Sequence, residues 1–458
     1  MTWIVWKEEN GKIKLISKVG VNGMIPKGAY LTVDDPEQKC RFILRIDDSQ
    51  QKEPFEPSPL IIDLDISAIS ADRQCKNIVT AYRVRTIENG EDDGLVRYIR
   101  PLSVARRSTQ EEIDCAMEAS ANLSERGPPV FVATVYANEN RILREENGKY
   151  ITAHLPKSFY FHQTMICGKT GSGKTVAMKY LAQYFIEEMN GAVLAINVKE
   201  ADFLKMDMPS RTNDKNVLRE WESLDRGAHP IYAFTVYHPA NEERKIYKSL
   251  SADLNPITLN VKDIEPEALI GSIQGITDRA SMRLPDIFRH WRDKKVENRQ
   301  TPYFRDFLRY LNDEHEKKSF ETKNELGDPS SITLHPGTYQ NIINSLTSAS
   351  KFFDNERATM LNAEDILDPG KMSVIDVAES TQFGALVLRD ILKRLVRRKN
   401  ETNETKTDVP LLIIIDEVHQ FYNTSTSREA LGDLDVIGRT GRSRKIGVFF
   451  ASQNPGDM

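Results

Sequence analysis

At 458 residues the chain is too long for one hydrophobic core, and 40% hydrophobic with 28% charged residues is the balance of a folded polypeptide, not a disordered one. A formal net charge of −5 excludes a surface that coats nucleic acid uniformly, so any DNA contact must be local, such as the lining of a pore. The apolar run Leu411 to Ile415 is far short of the roughly 20 residues that span a bilayer, and Glu8 and Glu9 interrupt the N-terminal apolar stretch. No membrane segment and a cytoplasmic location are expected. Four scattered cysteines without a C-x-x-C pair predict neither a zinc site nor a disulfide framework.

Along the chain, Lys12–Val19, Ala29–Val33, Arg41–Ile46 and Leu60–Leu64 alternate apolar and polar residues or run β-branched between Gly, Pro and Asp, the pattern of a small β-barrel or sandwich over residues 1–127. A charge-mixed segment from Arg106 to Arg126 ends in Gly127-Pro128-Pro129, which reads as a hinge. Strands resume at Val130–Tyr136 and Tyr150–Ala153. From Gln163 the pattern changes to apolar strands alternating with amphipathic helices: Thr164–Cys167, Ala192–Val198, Ser373–Val377, Leu411–Ile415 and Val448–Ala451. Such strands predict an α/β core with a mainly parallel sheet covered on both faces, split between residues 128–262 and 363–458. Residues 263–362 read as a helical insertion. There Thr301-Pro302 offers a helix start, and Phe304, Phe307, Leu308 and Leu311 form one apolar face. A later helix through Leu388, Ile391, Leu392 and Leu395 runs into Lys393, Arg394, Arg397, Arg398 and Lys399. This basic run is read first as a solvated face favoured by the helix dipole, and second as a DNA contact.

The chemistry concentrates in two places. Gly168-Lys169-Thr170-Gly171-Ser172-Gly173-Lys174-Thr175 fits G-x-x-x-x-G-K-[ST], with an apolar strand entering and a helix leaving from Val176. Backbone N–H groups and the helix N-terminus there would wrap the phosphates of ATP. Lys174 would bridge the β- and γ-phosphates, and Thr175 would ligate Mg2+. The strand Leu411 to Ile415 ends in Asp416-Glu417, which places Asp416 beside the metal and Glu417 where it can take a proton from the attacking water. Gln453, after the strand Val448–Ala451, is a candidate γ-phosphate sensor or a plain loop residue.

Spacing separates the candidate families. Lys174 and Asp416 lie 242 residues apart, while Asp416 and Arg439 are only 23 apart. Asp416-Glu417-Val418-His419 followed by Gly438-Arg439-Thr440-Gly441-Arg442 looks like the DEAH and GRxGR motifs of superfamily 2 helicases, but the short gap cannot hold the second core those enzymes need. The series instead resembles the HerA/FtsK group of hexameric DNA pumps, and HerA in particular, over nearly the whole chain. The carrying residues are the β-rich N-terminus, Gly168–Thr175, Pro256-Ile257-Thr258-Leu259, Ser373-Val374-Ile375-Asp376, Ile413–Gln420, the cluster Arg439–Lys445 and Ala451-Ser452-Gln453-Asn454-Pro455.

The resemblance implies a RecA-like P-loop core behind a HerA barrel. It implies a hexameric ring that translocates or unwinds double-stranded DNA and works with a partner nuclease such as NurA. The alternative expectation is an ATPase scaffold of an antiviral defence complex that regulates a nuclease or a sirtuin-like NAD hydrolase. Arg439 and Arg442, with Arg444, are candidate arginine fingers for a ring neighbour's ATP, against a DNA-contact or loop-capping reading. Three departures stand out. Asn197-Val198-Lys199-Glu200 occurs where many members carry an Asp, and Phe161-His162-Gln163 where a basic residue often precedes the phosphate loop. The sequence also stops at Met458, where the resemblance implies further strands and a bracing arm; either the sequence is shortened or the arm is missing, and ring stability is the property expected to be most exposed.

Overall fold

The computed structural model describes residues 3–18, 25–52, 76–88, 96–117, 130–137, 141–145, 147–199, 202–241, 247–248, 250, 252–273, 278–316, 319–323, 328–400, 408–417, 441 and 443–452. The chain forms two compact units, Met1–Phe159 and Tyr160–Met458.

The first unit is built on a closed antiparallel barrel of six strands in the order β1-β2-β5-β4-β3-β6. Its strands are Trp3–Glu9 (β1), Lys12–Lys18 (β2), Tyr30–Asp35 (β3), Cys40–Lys52 (β4), Lys76–Glu88 (β5) and Val104–Arg107 (β6). Alternation sets the faces: Trp3 and Val5 are fully buried, while Trp6 faces solvent. In β4, however, Phe42, Ile43 and Leu44 are buried in succession. The pairing with β5 shifts between Ile43 and Leu44 and again between Ile46 and Asp48, and such bulges bend a strand toward closure.

The charge-mixed segment from Arg106 begins with the end of β6 and continues into a helix, Gln110–Ala116 (α1). The physical reason is a capping box. The Thr109 hydroxyl accepts from the Glu112 N–H, and the Glu112 carboxylate accepts from the Thr109 N–H at 2.9 Å. Glu112 is also buried as the centre of a polar knot, accepting from Thr32 Oγ1 at 2.8 Å and from Arg106 Nη1 at 3.0 Å. The unit then runs past residue 127 to Phe159, because Val130–Thr134 (β7) pairs with Thr152–Leu155 (β10) and Gln110 of α1 bonds both backbone groups of Thr152. The short pair Tyr136–Ala137 (β8) and Arg141–Ile142 (β9) lies between them. The expected strand Leu60–Leu64 and Gly127-Pro128-Pro129 lie outside the described residues.

The second unit carries a seven-stranded parallel sheet in the order β11-β19-β18-β12-β17-β13-β14. Five of these strands match expectation: Gln163–Cys167 (β11), Ala192–Asn197 (β12), Met372–Asp376 (β17), Leu411–Ile415 (β18) and Ile446–Ser452 (β19). The four from β12 to β19 are buried throughout, as a sheet covered on both faces requires. Two more, Phe234–Pro239 (β13) and Asp253–Ile257 (β14), were not expected. Pro256 argues against a central strand, and β14 tolerates it by lying at the end of the order. Helices Lys174–Met189 (α2) and Lys215–Leu224 (α3) stand among the early strands.

Between β14 and β17 the chain is mainly helical, as expected, with Asp278–Glu297 (α4), Phe304–Glu316 (α5), Pro336–Ala349 (α6) and Ala363–Ile366 (α7). A hairpin of Phe320–Lys323 (β15) and Pro329–Ile332 (β16) interrupts it. This segment shares the sheet's core: Leu284, Phe288, Trp291, Phe304 and Phe307 join one hydrophobic cluster with Leu194, Ile375 and Ile413. The helix expected to open at Thr301-Pro302 opens at Phe304, whose N–H donates to the Asp354 carboxylate at 2.7 Å, so a residue far along the chain supplies the cap.

The basic run on Thr381–Asn400 (α8) is a solvated face only in part: the Arg397 side chain is 74% exposed, whereas those of Lys393, Arg394 and Arg398 are largely covered. Lys393 reaches Glu267 at 3.2 Å, Arg394 Asp390 at 2.7 Å, Arg397 Glu265 at 3.2 Å and Arg398 Glu364 at 3.0 Å. Lys399 is buried and donates to the Val409 carbonyl at 2.7 Å, and burial pushes its ammonium down to about 8.

Candidate active site

β11 delivers the chain into Gly168 at the carboxyl end of the sheet. The glycines meet a backbone requirement: Gly171 (φ 79°) and Gly173 (φ 89°) sit in the left-handed region. Gly173 is the residue before α2, and no side chain caps that helix start, so the first N–H groups of α2 point toward any anion held by the loop. The Lys174 ammonium folds over the loop and donates to the Gly168 carbonyl at 2.7 Å. Lys169, Thr170, Gly171, Ser172 and Gly173 are exposed, Gly168, Lys174 and Thr175 are half-buried, and Val176 is exposed at the start of the helix.

β18 brings the carboxylates to the same end of the sheet. β11 and β19 end in register at Cys167 and Ser452, and Ile415 of β18 pairs with Phe450 of β19. Asp416 therefore lies one strand beyond β19 from the phosphate loop, at the carboxyl edge where open α/β sheets bind ligands. It is 2% exposed, and burial raises its carboxyl above the usual range despite a 2.8 Å hydrogen bond from the Glu417 N–H. Glu417 is 1% exposed and, unusually for a residue with a Cβ, takes a left-handed backbone (φ 47°). Its Oε1 accepts from the Lys199 ammonium, and this contact holds the ammonium above its ordinary value. Lys179, on α2, is pushed down by burial, with Asp202 and Asp416 opposing.

The structure thus brings Gly168–Val176, Asp416 and Glu417 to one sheet edge. Arg439, Arg442 and Gln453 lie outside the described residues. Of their neighbours, Arg444 donates to the Lys399 carbonyl at 3.2 Å and Lys445 pairs with Asp408 at 3.0 Å. Both stand at the amino ends of the strands, since the Lys445 carbonyl accepts from the N–H of Leu411, the first residue of β18.

Sequence reasoning passed over Lys199 and the polar junction beside it. Asn197, the last residue of β12, donates to Asp376 Oδ1 of β17 at 2.8 Å, and Tyr247 donates to Asp376 Oδ2 at 2.6 Å. The signal for the junction was Asn197 itself, a polar side chain closing an otherwise apolar strand.

The family model for the helicase HerA-like C-terminal region matches residues 139–458, more than two thirds of the chain. The chain belongs to this family. It is a HerA-like P-loop ATPase, and membership supports ATP hydrolysis. Among solved structures it is similar to the bacterial conjugative coupling protein TrwB at 14% identity, over 66% of this chain and 65% of that one, with a TM-score of 0.41. VirB4 of Thermoanaerobacter pseudethanolicus is similar at 14% identity, over 69% of this chain and 77% of that one, with a TM-score of 0.38. A TrwB structure in complex with ADP and Mg2+ is similar at 14% identity, 66% and 65% coverage and a TM-score of 0.39. Comparison with curated proteins finds no match. Among the described residues no helix is long and apolar enough to cross a membrane.

Proposed function

We propose that this HerA-like chain is the ATP-hydrolysing subunit of a ring motor that translocates or unwinds double-stranded DNA alongside a partner nuclease or other effector. The observation that carries the catalytic half is the meeting of phosphate loop and carboxylate pair at one sheet edge, two strands apart in the sheet order. Exposed backbone N–H groups and Lys174 offer a cradle for the triphosphate of ATP. The hydroxyl of Thr175 and the carboxylate of Asp416 are hard oxygen donors of the kind Mg2+ selects, and the bound ion would neutralise charge on the phosphates. Glu417 is the base: its carboxylate, buried beside Asp416, accepts the proton of the attacking water. Arg439 and Arg442 remain candidates for a neighbouring subunit's site, and Gln453 for a phosphate sensor.

Family membership supports the DNA half, and charge bears on where the contact lies. With a net charge of −5 and the α8 cations engaged in ion pairs, the DNA contact is a local one. The test measures ATP turnover of the purified chain with and without duplex DNA, across salt. Duplex DNA is expected to stimulate turnover, less so as salt rises, because phosphate contacts release counterions. Lys174→Ala should abolish nucleotide binding, whereas Glu417→Gln should keep binding and slow turnover by about 10²–10⁴. Full turnover in both variants would remove the site assignment. Turnover blind to every DNA, also in the complex with its native partner, would replace the motor by an effector-regulating scaffold.

A further inference from the structure

Lys199 and Glu417 stand just past the ends of neighbouring strands. β12 ends at Asn197 and β18 at Ile415, the two strands are paired with Ile196 opposite Ile415, and each residue lies two positions past its strand end. The sheet itself therefore brings the ammonium to the carboxylate across 218 residues of chain. The two side chains differ in freedom. Glu417 is 1% exposed on a left-handed backbone, whereas the Lys199 side chain is 45% exposed. The carboxylate is thus fixed, and the cation is the partner able to leave.

We propose that Lys199 is a positioning residue that restrains Glu417, holding its carboxylate in an ion pair that must open before the carboxylate can take a proton from water. This rests on reading Glu417 as the base. A carboxylate engaged by an ammonium is turned toward that cation and is a poorer proton acceptor. Asp416 and Asp202 add to the field that keeps Lys199 charged. Because the Lys199 end of the pair is half open to solvent, its strength is that of a moderate ion pair, and opening it is a modest part of the barrier.

The test compares kcat and KM for ATP in full-length wild type, Lys199→Met, Lys199→Arg, Glu417→Gln and the double variant Lys199→Met/Glu417→Gln. Lys199→Met is expected to raise kcat about three- to tenfold with KM for ATP unchanged, the effect of losing one partly exposed charge pair. Lys199→Arg should behave as wild type, and the double variant should be as slow as Glu417→Gln. If Lys199→Met folds poorly, Lys199→Gln takes its place with the same expectations. A kcat at or below wild type for the uncharged variant overturns the restraint while a slow Glu417→Gln leaves the base in place. Full turnover in Glu417→Gln removes the base itself, and the restraint with it.

Discussion

Asn197 and Asp376, the terminal residues of two adjacent core strands, are locked together by an amide-to-carboxylate hydrogen bond of 2.8 Å in which neither side chain is more than 1% exposed. The amide also donates to the Lys199 carbonyl at 2.6 Å and accepts from the Phe203 N–H at 3.1 Å, so it fixes the turn that carries Lys199 toward Glu417. An amide does this because it offers donors and an acceptor together.

Asn197→Asp removes both donated bonds and sets a second carboxylate against Asp376 in a buried site. The expected loss is about 2–4 kcal/mol at pH 8, from unmade hydrogen bonds and like-charge repulsion. Repulsion and burial raise the folded pKa of the new pair, so the deficit is fully present above that value and shrinks as pH falls and the pair takes up a proton. Thermal unfolding of wild type and variant from pH 5 to pH 8 reads this directly. A gap that stays constant over that range shows that the two carboxylates do not share a site.

In the barrel unit, burial works to raise the Glu112 carboxyl, but hydrogen bonds from Arg106, the Thr109 N–H and Thr32 outweigh it and hold the group below its ordinary value. A depressed carboxylate contributes stability that is present above its unfolded pKa of about 4.3 and is lost as pH falls through the lower folded value. Glu112→Gln is therefore expected to destabilise the chain at pH 7, by about 1–3 kcal/mol for losing charged hydrogen bonds, and to flatten the acid limb below pH 4.5. Denaturation monitored across pH 3 to 7 checks both parts, and an unchanged acid limb assigns the acid sensitivity to other carboxylates.

Legibility in the sequence tracked how local each determinant is. β11 with Gly168–Thr175, and β18 with Asp416-Glu417, announce themselves because apolar runs and the chemistry adjoin. The capping box of α1 was equally local, in Thr109 and Glu112, but hidden in a run of charges. β14 was masked by Pro256, which only an end strand tolerates, and strand order is not written in strand sequence. The pairings of Lys393 and Arg397 on α8, and of Lys199 with Glu417, depend on residues more than a hundred positions away, so composition alone made the α8 run look like an open cationic face.

The arginines after Asp416-Glu417 give the sharpest test of ring catalysis. Arg444 donates to Lys399 at the amino ends of the strands. The phosphate loop lies at the carboxyl end, beyond the length of β19, a seven-residue strand of about 20 Å at the usual rise per residue. Within its own subunit Arg444 braces the Lys399 carbonyl, and Arg444→Ala is expected to lower stability without abolishing turnover. Arg442 carries the finger prediction: a guanidinium reaching a neighbour's γ-phosphate contributes about 10³–10⁵ in rate. An Arg442→Ala subunit should then bind ATP and hydrolyse almost none. Mixing it with Lys174→Ala subunits should restore part of the activity, because an intact phosphate loop and an intact arginine meet at some interfaces. Turnover and nucleotide binding of the mixture, beside each variant alone, decide the matter. If Arg442→Ala alone instead keeps DNA-free turnover and loses affinity for duplex DNA, Arg442 contacts DNA phosphates, and the same series on Arg439 identifies the finger.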